Sequence, residues 1–154
     1  MCLYALLLSS ELKLKINFNH AIKLILLHDL PEVYAGDANP YEANKALKHK
    51  KEKAAADKLF PLLPPDKAKE LRSLWDEYEA QKTPEAKFVR AIDRLQAFSQ
   101  NVFTKGKTWK DLRLTTEQVR SYNKEHLNID PVLIELFQLL SKRATNESAW
   151  PTKK

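Results

Sequence analysis

His28-Asp29-Leu30-Pro31-Glu32-Val33-Tyr34-Ala35-Gly36-Asp37 places an imidazole and three carboxylates within ten residues, directly after the apolar run Leu24-Ile25-Leu26-Leu27. Groups of this kind are costly to desolvate unless they are paired, hydrogen-bonded or bound to a metal. A divalent cation at the end of a buried helix reconciles the crowding. Read residue by residue the segment is less specific: His-Asp alone suits a helix-end ion pair, Glu32 a solvated loop position, and Asp37 the turn after Gly36.

Working outward, apolar residues recur at helical spacing almost throughout, with caps and prolines as boundaries. Cys2 to Leu8 reads as a short core helix with no capping residue at Met1. Asn17 caps a central helix, which Pro31 ends near His28 to Leu30, delivering the next residues into a loop closed by Asn39 and Pro40. A third helix is expected over roughly 42–60. The Pro61, Pro64 and Pro65 cluster precedes a fourth, carrying Leu71, Leu74, Trp75 and Tyr78, with Trp75 and Tyr78 read as core. Thr83-Pro84-Glu85 starts a fifth that runs through Phe88, Val89, Ile92 and Leu95 and contains Asp93. Thr115 with Gln118 forms a capping-box pattern, and Asp130-Pro131 opens the last helix. The expectation is an all-α, single-domain bundle of about six or seven helices over residues 1–144, with 145–154 as a frayed tail.

Composition agrees. Two glycines in 154 residues argue against a turn-rich β architecture, and 44% hydrophobic with 30% charged residues is ordinary for a globular chain. One cysteine, Cys2, cannot form an internal disulfide and reads as a small core residue, so the cytoplasm is the expected compartment. The apolar opening has no basic region before it and runs into Glu11, Lys13 and Lys15, which excludes a signal peptide or a membrane span. A formal charge of +6 and the lysines at 45, 48, 50, 51 and 53 raise the possibility of a polyanion partner. No aromatic residue is interleaved with those lysines, so they read as a solvated helix face and nucleic acid as an unlikely partner.

Three blocks carry a family likeness: HDLPEVYAGD at 28–37, Leu74-Trp75-x-Glu77-Tyr78-Glu79, and Thr83-Pro84-Glu85-Ala86-Lys87-Phe88 leading to Ala91-Ile92-Asp93-Arg94-Leu95. Together they resemble the HD-domain superfamily of metal-dependent phosphohydrolases, in its 5'-deoxynucleotidase-like branch, over most of the chain. The resemblance implies an HD-type helical bundle that hydrolyses (deoxy)ribonucleoside 5'-monophosphates, small-molecule substrates; the homodimer expected of this chain rests instead on apolar surface left open on its first two helices. It implies a divalent metal held by His28, Asp29 and Asp93, with Glu32 as general acid or base and Asp37 on the sugar or the attacking water. Mixed imidazole and carboxylate ligation suits manganese, cobalt, iron, nickel, zinc or magnesium without choosing among them.

The family pattern also has a histidine ligand in a Glu-His-Ser type motif before the segment resembling Cys2 to Ser9. This chain starts after that position, so the expectation is a truncated start, a site one protein ligand short, weaker metal binding and apolar surface left open on the first two helices. Two further readings therefore stand beside the hydrolase: an impaired HD-fold protein that binds a nucleotide or a protein, and a hydrolase of another phosphorylated substrate. For Asp93 an ion pair with Arg90 or Arg94 competes with ligation. His20, His49 and His126 read as surface residues.

Overall fold

The structure, a computed structural model, describes residues 1–37, 41 and 45–151. Among these residues the chain forms helices α1 (Cys2–Leu8), α2 (Phe18–Leu27), α3 (Glu32–Ala35), α4 (Lys45–Leu59), α5 (Pro65–Ala80), α6 (Pro84–Phe103), α7 (Lys107–Asp111), α8 (Thr116–Leu127) and α9 (Pro131–Asn146), with a 3₁₀ turn over Phe60–Leu62 and no strand. Asn39, Pro40 and the expected start of the third helix at Glu42 lie outside the described residues.

The expected caps are in place. The Asn17 side chain accepts from the His20 amide, Thr83 from Ala86, and Thr115 forms a reciprocal capping box with Gln118. Each such cap stabilises its helix by about 1 kcal/mol. The helices beyond the expected seven are short, α3 with 4 residues and α7 with 5. The chain after Pro31 is thus a single helical turn where a loop was expected. Proline disfavours helix in the residue before it, but its own fixed φ, here −63°, suits a helix start.

The centre of the bundle is α6 rather than α2. It buries Ala86, Phe88, Val89, Ala91, Ile92, Leu95, Phe98, Ser99 and Val102, and packs against α1, α2, α5, α7, α8 and α9. Helix α2 buries Ala21, Leu24, Ile25 and Leu27 but leaves Leu26 67% exposed. Trp75 and Tyr78 are buried as expected. Helix α1 departs from its reading as a core helix: only Ala5 is buried, Cys2 is exposed, and Leu3, Leu6 and Leu7 are each more than 60% exposed.

Residues 145–151, part of the expected frayed tail, are packed on the rest of the chain; residues 152–154 lie outside the described residues. Helix α9 continues to Asn146, Ala149 is fully buried, and the Trp150 ring stacks on Trp109 with centroids 5.5 Å apart while Arg120 covers it. Gly106 makes room for this segment, because a Cβ there would collide with the Ala149 carbonyl. Local propensity carries no trace of such a contact, since Trp109 and Trp150 are distant in sequence.

Asp130 ties the start of α9 to the segment between α1 and α2. It is 2% exposed; one carboxylate oxygen accepts from the Val132 amide at 2.9 Å, capping α9, and the other from the Leu14 amide at 2.8 Å. Asp130→Ala is expected to destabilise the fold by about 2–3 kcal/mol, and Asp130→Asn by less, as read from urea unfolding midpoints. Equal stability of Asp130→Ala and wild type would remove this tie from the account.

Candidate functional site

His28 sits at the C-terminal end of α2, where its backbone amide still donates to Leu24. Its Nδ1–H donates to the Ile25 carbonyl at 2.8 Å, since a carbonyl only accepts, and this bond turns Nε2 towards Asp29. Nε2 is buried and has no hydrogen-bond partner among the described residues. It lies 2.9 Å from Asp29 Oδ2, close enough for an ion pair but out of alignment for a hydrogen bond. Two electron-rich atoms at that spacing need a cation or a shared proton between them. Tyr78 presses its ring edge-on against His28, with centroids 5.3 Å apart.

Asp29, Glu32, Asp37 and Asp93 line one cavity of about 460 Å³ with His28, so all five residues singled out in the sequence come together. They do not close into a coordination sphere: among the described residues no three His, Cys, Asp or Glu side chains are grouped to hold an ion. His28 and Asp29 are at ligand spacing, and Asp93 acts on the imidazole through space. The donor set and the unmatched Nε2 fit a divalent metal at this corner, with further positions left to other ligands.

The electrostatics separate the carboxyl groups. Burial opposes ionisation of Asp29, but the His28 ring, Lys48 and Arg90 outweigh it and hold its pKa below the ordinary range. For His28, burial favours the neutral ring, and the Asp29 carboxylate, the Ile25 carbonyl and Asp93 reverse the sign to leave its pKa raised. Glu32 is pushed up to about 7 by burial first and then by Asp29 and Asp37, against a partial offset from Lys48 3.6 Å away. A carboxyl group near 7 is suited to proton transfer at neutral pH.

Sequence reasoning missed the rest of the wall. From α4 come Lys48, His49 and Glu52, the last with a pKa raised by burial; His49 Nδ1 meets Glu79 at 2.8 Å. From α6 come Arg90 and Arg94, and from α8 Tyr122 and His126. His49, exposed as expected of a surface residue, and the partly buried His126 both border the cavity, whereas His20 lies elsewhere, paired with Glu77 at 2.8 Å. Arg94 is 3.5 Å from Asp93, so the ion pair weighed in the sequence is present alongside the site. The spacing of Arg90, Asp93 and Arg94 was the one available signal, since it puts all three on one helix face. A larger opening of about 900 Å³ lies between α8 and α9, lined by Glu117, Arg120 and Phe137 among others, away from this chemistry.

A family model described as HD domain matches residues 1–131, on the same helices that build this cavity. The chain belongs to the HD-domain family. This HD-domain chain is 44% identical over 87 residues to a 5'-deoxynucleotidase of Xenopus laevis, covering 56% of the chain and 43% of the relative. With the human 5'-deoxynucleotidase the figures are 39% over 87 residues, 56% and 43%. The chain thus spans less than half the length of these curated relatives. A crystal structure of a predicted metal-dependent phosphohydrolase from Magnetospirillum magnetotacticum MS-1 superposes with a TM-score of 0.87 at 32% identity, covering 98% of this chain and 76% of that one. The HD-domain fold expected from the sequence is borne out, and the family implies a divalent metal. Among the described residues no helix is long and apolar enough to cross a membrane.

Glu32 gives the site a signature in stability. Its folded pKa near 7 lies above the ordinary 4.5, so the fold keeps this proton after the unfolded chain has lost it. The associated stability is full below about pH 4.5 and is lost as pH rises towards 7. In chelator-treated protein, Glu32→Gln should gain about 1–3 kcal/mol over wild type between pH 5 and 8, read by urea unfolding at each pH. A difference that stays flat across that range would show Glu32 to be unperturbed.

Proposed function

We propose that this chain is a metal-dependent phosphohydrolase acting on (deoxy)ribonucleoside 5'-monophosphates, releasing nucleoside and phosphate. The observation that carries this reading is the buried His28 Nε2, its ring oriented by Ile25, facing Asp29 at 2.9 Å in a cavity that also holds Glu32, Asp37 and Asp93. The substrate class rests on the similarity to 5'-deoxynucleotidases.

In this reading His28, Asp29 and Asp93 hold the divalent ion, and manganese, cobalt, iron, nickel, zinc and magnesium all remain compatible with the donor set. When bound, the ion supplies charge neutralisation at the phosphoryl oxygens and acidifies a water. Glu32, with its pKa raised to about 7, is protonated in a substantial share of molecules at neutral pH and donates that proton to the departing sugar 5'-oxygen, while Asp37 orients the sugar or the water. We place the protein in the cytoplasm, which suits its exposed, unpaired Cys2.

A second reading, a nucleotide- or protein-binding HD protein with impaired turnover, is favoured by one observation: the ligand set is not closed among the described residues. Elemental analysis and phosphate release separate the two. Wild-type protein supplied with manganese or cobalt should retain metal and release phosphate from a panel of 5'-monophosphates; Asp29→Ala should lose the metal, and Glu32→Ala should keep it while turnover falls by about 100-fold or more. Phosphate release no greater than that of Glu32→Ala with every metal would overturn the hydrolase and leave the binder.

We also propose a homodimer through the exposed leucines of α1, Leu3, Leu6 and Leu7, an apolar face of the kind that marks association surfaces. Sedimentation should give twice the chain mass for wild type and a monomer for Leu6→Lys with Leu7→Lys. A monomeric wild type at micromolar concentration would rule the dimer out.

A further inference from the structure

Arg90 and Arg94 stand one turn apart on α6, on either side of Asp93, and both line the cavity. Each guanidinium is laid over an aromatic face from a neighbouring helix. The Arg90 Cζ is 4.4 Å from the Tyr78 ring centroid on α5, and the Arg94 Cζ 4.8 Å from that of Tyr122 on α8. A guanidinium held over a ring is fixed in orientation by its π-face, which leaves the in-plane N–H groups to bind acceptors.

Those in-plane groups are underused. Arg90 reaches Glu79 only at 3.6 Å, and Arg94 reaches Asp93 only at 3.5 Å, longer than a charge-assisted hydrogen bond. Both side chains are largely buried, at 21% and 12% exposure, and the Arg94 Nε–H has no acceptor among the described residues. A buried guanidinium donor without an acceptor is a costly arrangement that an arriving anion would relieve. Carboxylates outnumber cations around the cavity, so a bound anion needs local cations at a defined place, and the two arginines supply them beside Asp93.

We propose that Arg90 and Arg94 form a two-arginine clamp that takes the non-bridging oxygens of the substrate's phosphate group. The planar fork of each guanidinium matches two phosphate oxygens, and the underlying tyrosines keep the forks from collapsing onto Glu79 and Asp93. The clamp fixes the phosphorus relative to His28, Asp29 and Glu32, and makes the phosphate rather than the base the feature recognised on this wall. This inference rests on the hydrolase reading for its substrate, but it makes a separate claim about phosphate binding.

The test measures binding and turnover separately in the full chain with manganese present. Inorganic phosphate is titrated by calorimetry into wild type, Arg90→Gln, Arg94→Gln and Arg94→Lys, with metal content and melting temperature recorded for each. Either Gln variant should weaken phosphate binding by about 10-fold or more with unchanged metal content, and Arg94→Lys should recover part of the loss, since it restores the charge but not the fork. Turnover of a 5'-monophosphate should show the same order in KM. Phosphate affinity unchanged in folded Arg90→Gln and Arg94→Gln, or a melting temperature that falls with no change in phosphate affinity, overturns the clamp; so does a wild type that binds no phosphate. Phosphate binding lost in the Gln variants of a wild type without turnover supports the clamp while sinking the hydrolase, and turnover with unaltered KM in the Gln variants does the reverse.

Discussion

Helix α6 is buried over much of its circumference, and its charged side chains between Phe88 and Phe98 lie along the one strip that its neighbours leave open. That strip is Arg90, Asp93, Arg94 and Ala97, residues at helical spacing that all reach the cavity. The opposite faces hold Phe88, Val89, Ile92, Leu95, Phe98 and Val102 almost without exposure. Rotating the helix by a third of a turn would drive a carboxylate and two guanidiniums into the core, at a cost no single packing contact offsets. The orientation of the site's deepest wall is therefore set by the hydrophobic burial of the helix that carries it.

The other walls meet this strip because their own apolar faces dock on the same helix. Helix α2 ends where Leu27 is still buried, and the next two residues, His28 and Asp29, emerge at the cavity floor. Helix α5 supplies Tyr78 and α8 supplies Tyr122, each reaching over to an α6 arginine. The electrostatic result is a division of labour between two nearby carboxyls: Asp29, next to the His28 ring, is held ionised, while Glu32, partly buried and near Asp29 and Asp37, keeps its proton to near neutrality. Pairs of titratable groups pushed in opposite directions are what an acid and a metal ligand in one site require.

A second cluster, Phe98, Val102, Trp109, Val119, Ala144 and Ala149, secures the far end of α6. The stacked Trp109 and Trp150 close α7 and the end of the chain over it, and Arg120 covers the outer ring. This stacking packs residues 149 and 150 against α7 and α8. Helix α1, whose Tyr4 hydroxyl meets Ser99 Oγ on the same half of α6 at 2.6 Å, leaves Leu3, Leu6 and Leu7 exposed.

The sequence by itself determined the fold class, the starts of α2, α6, α8 and α9, and the five residues expected at the site, because those features are local. Asn17, Thr83, Thr115 and Asp130 cap helices through their own next few amides, and HDLPEVYAGD concentrates its charged groups within one stretch of chain. Short α3 and α7 escaped because one or two turns carry no periodicity to read. Tertiary structure alone decided that α6 is the hub, that Trp150 finds Trp109, that His49 and His126 border the cavity, and that Arg90 and Arg94 rest on tyrosines from two other helices. Those outcomes depend on which faces of distant helices meet, and a face is specified by the sum of all the burial around it rather than by any segment read alone.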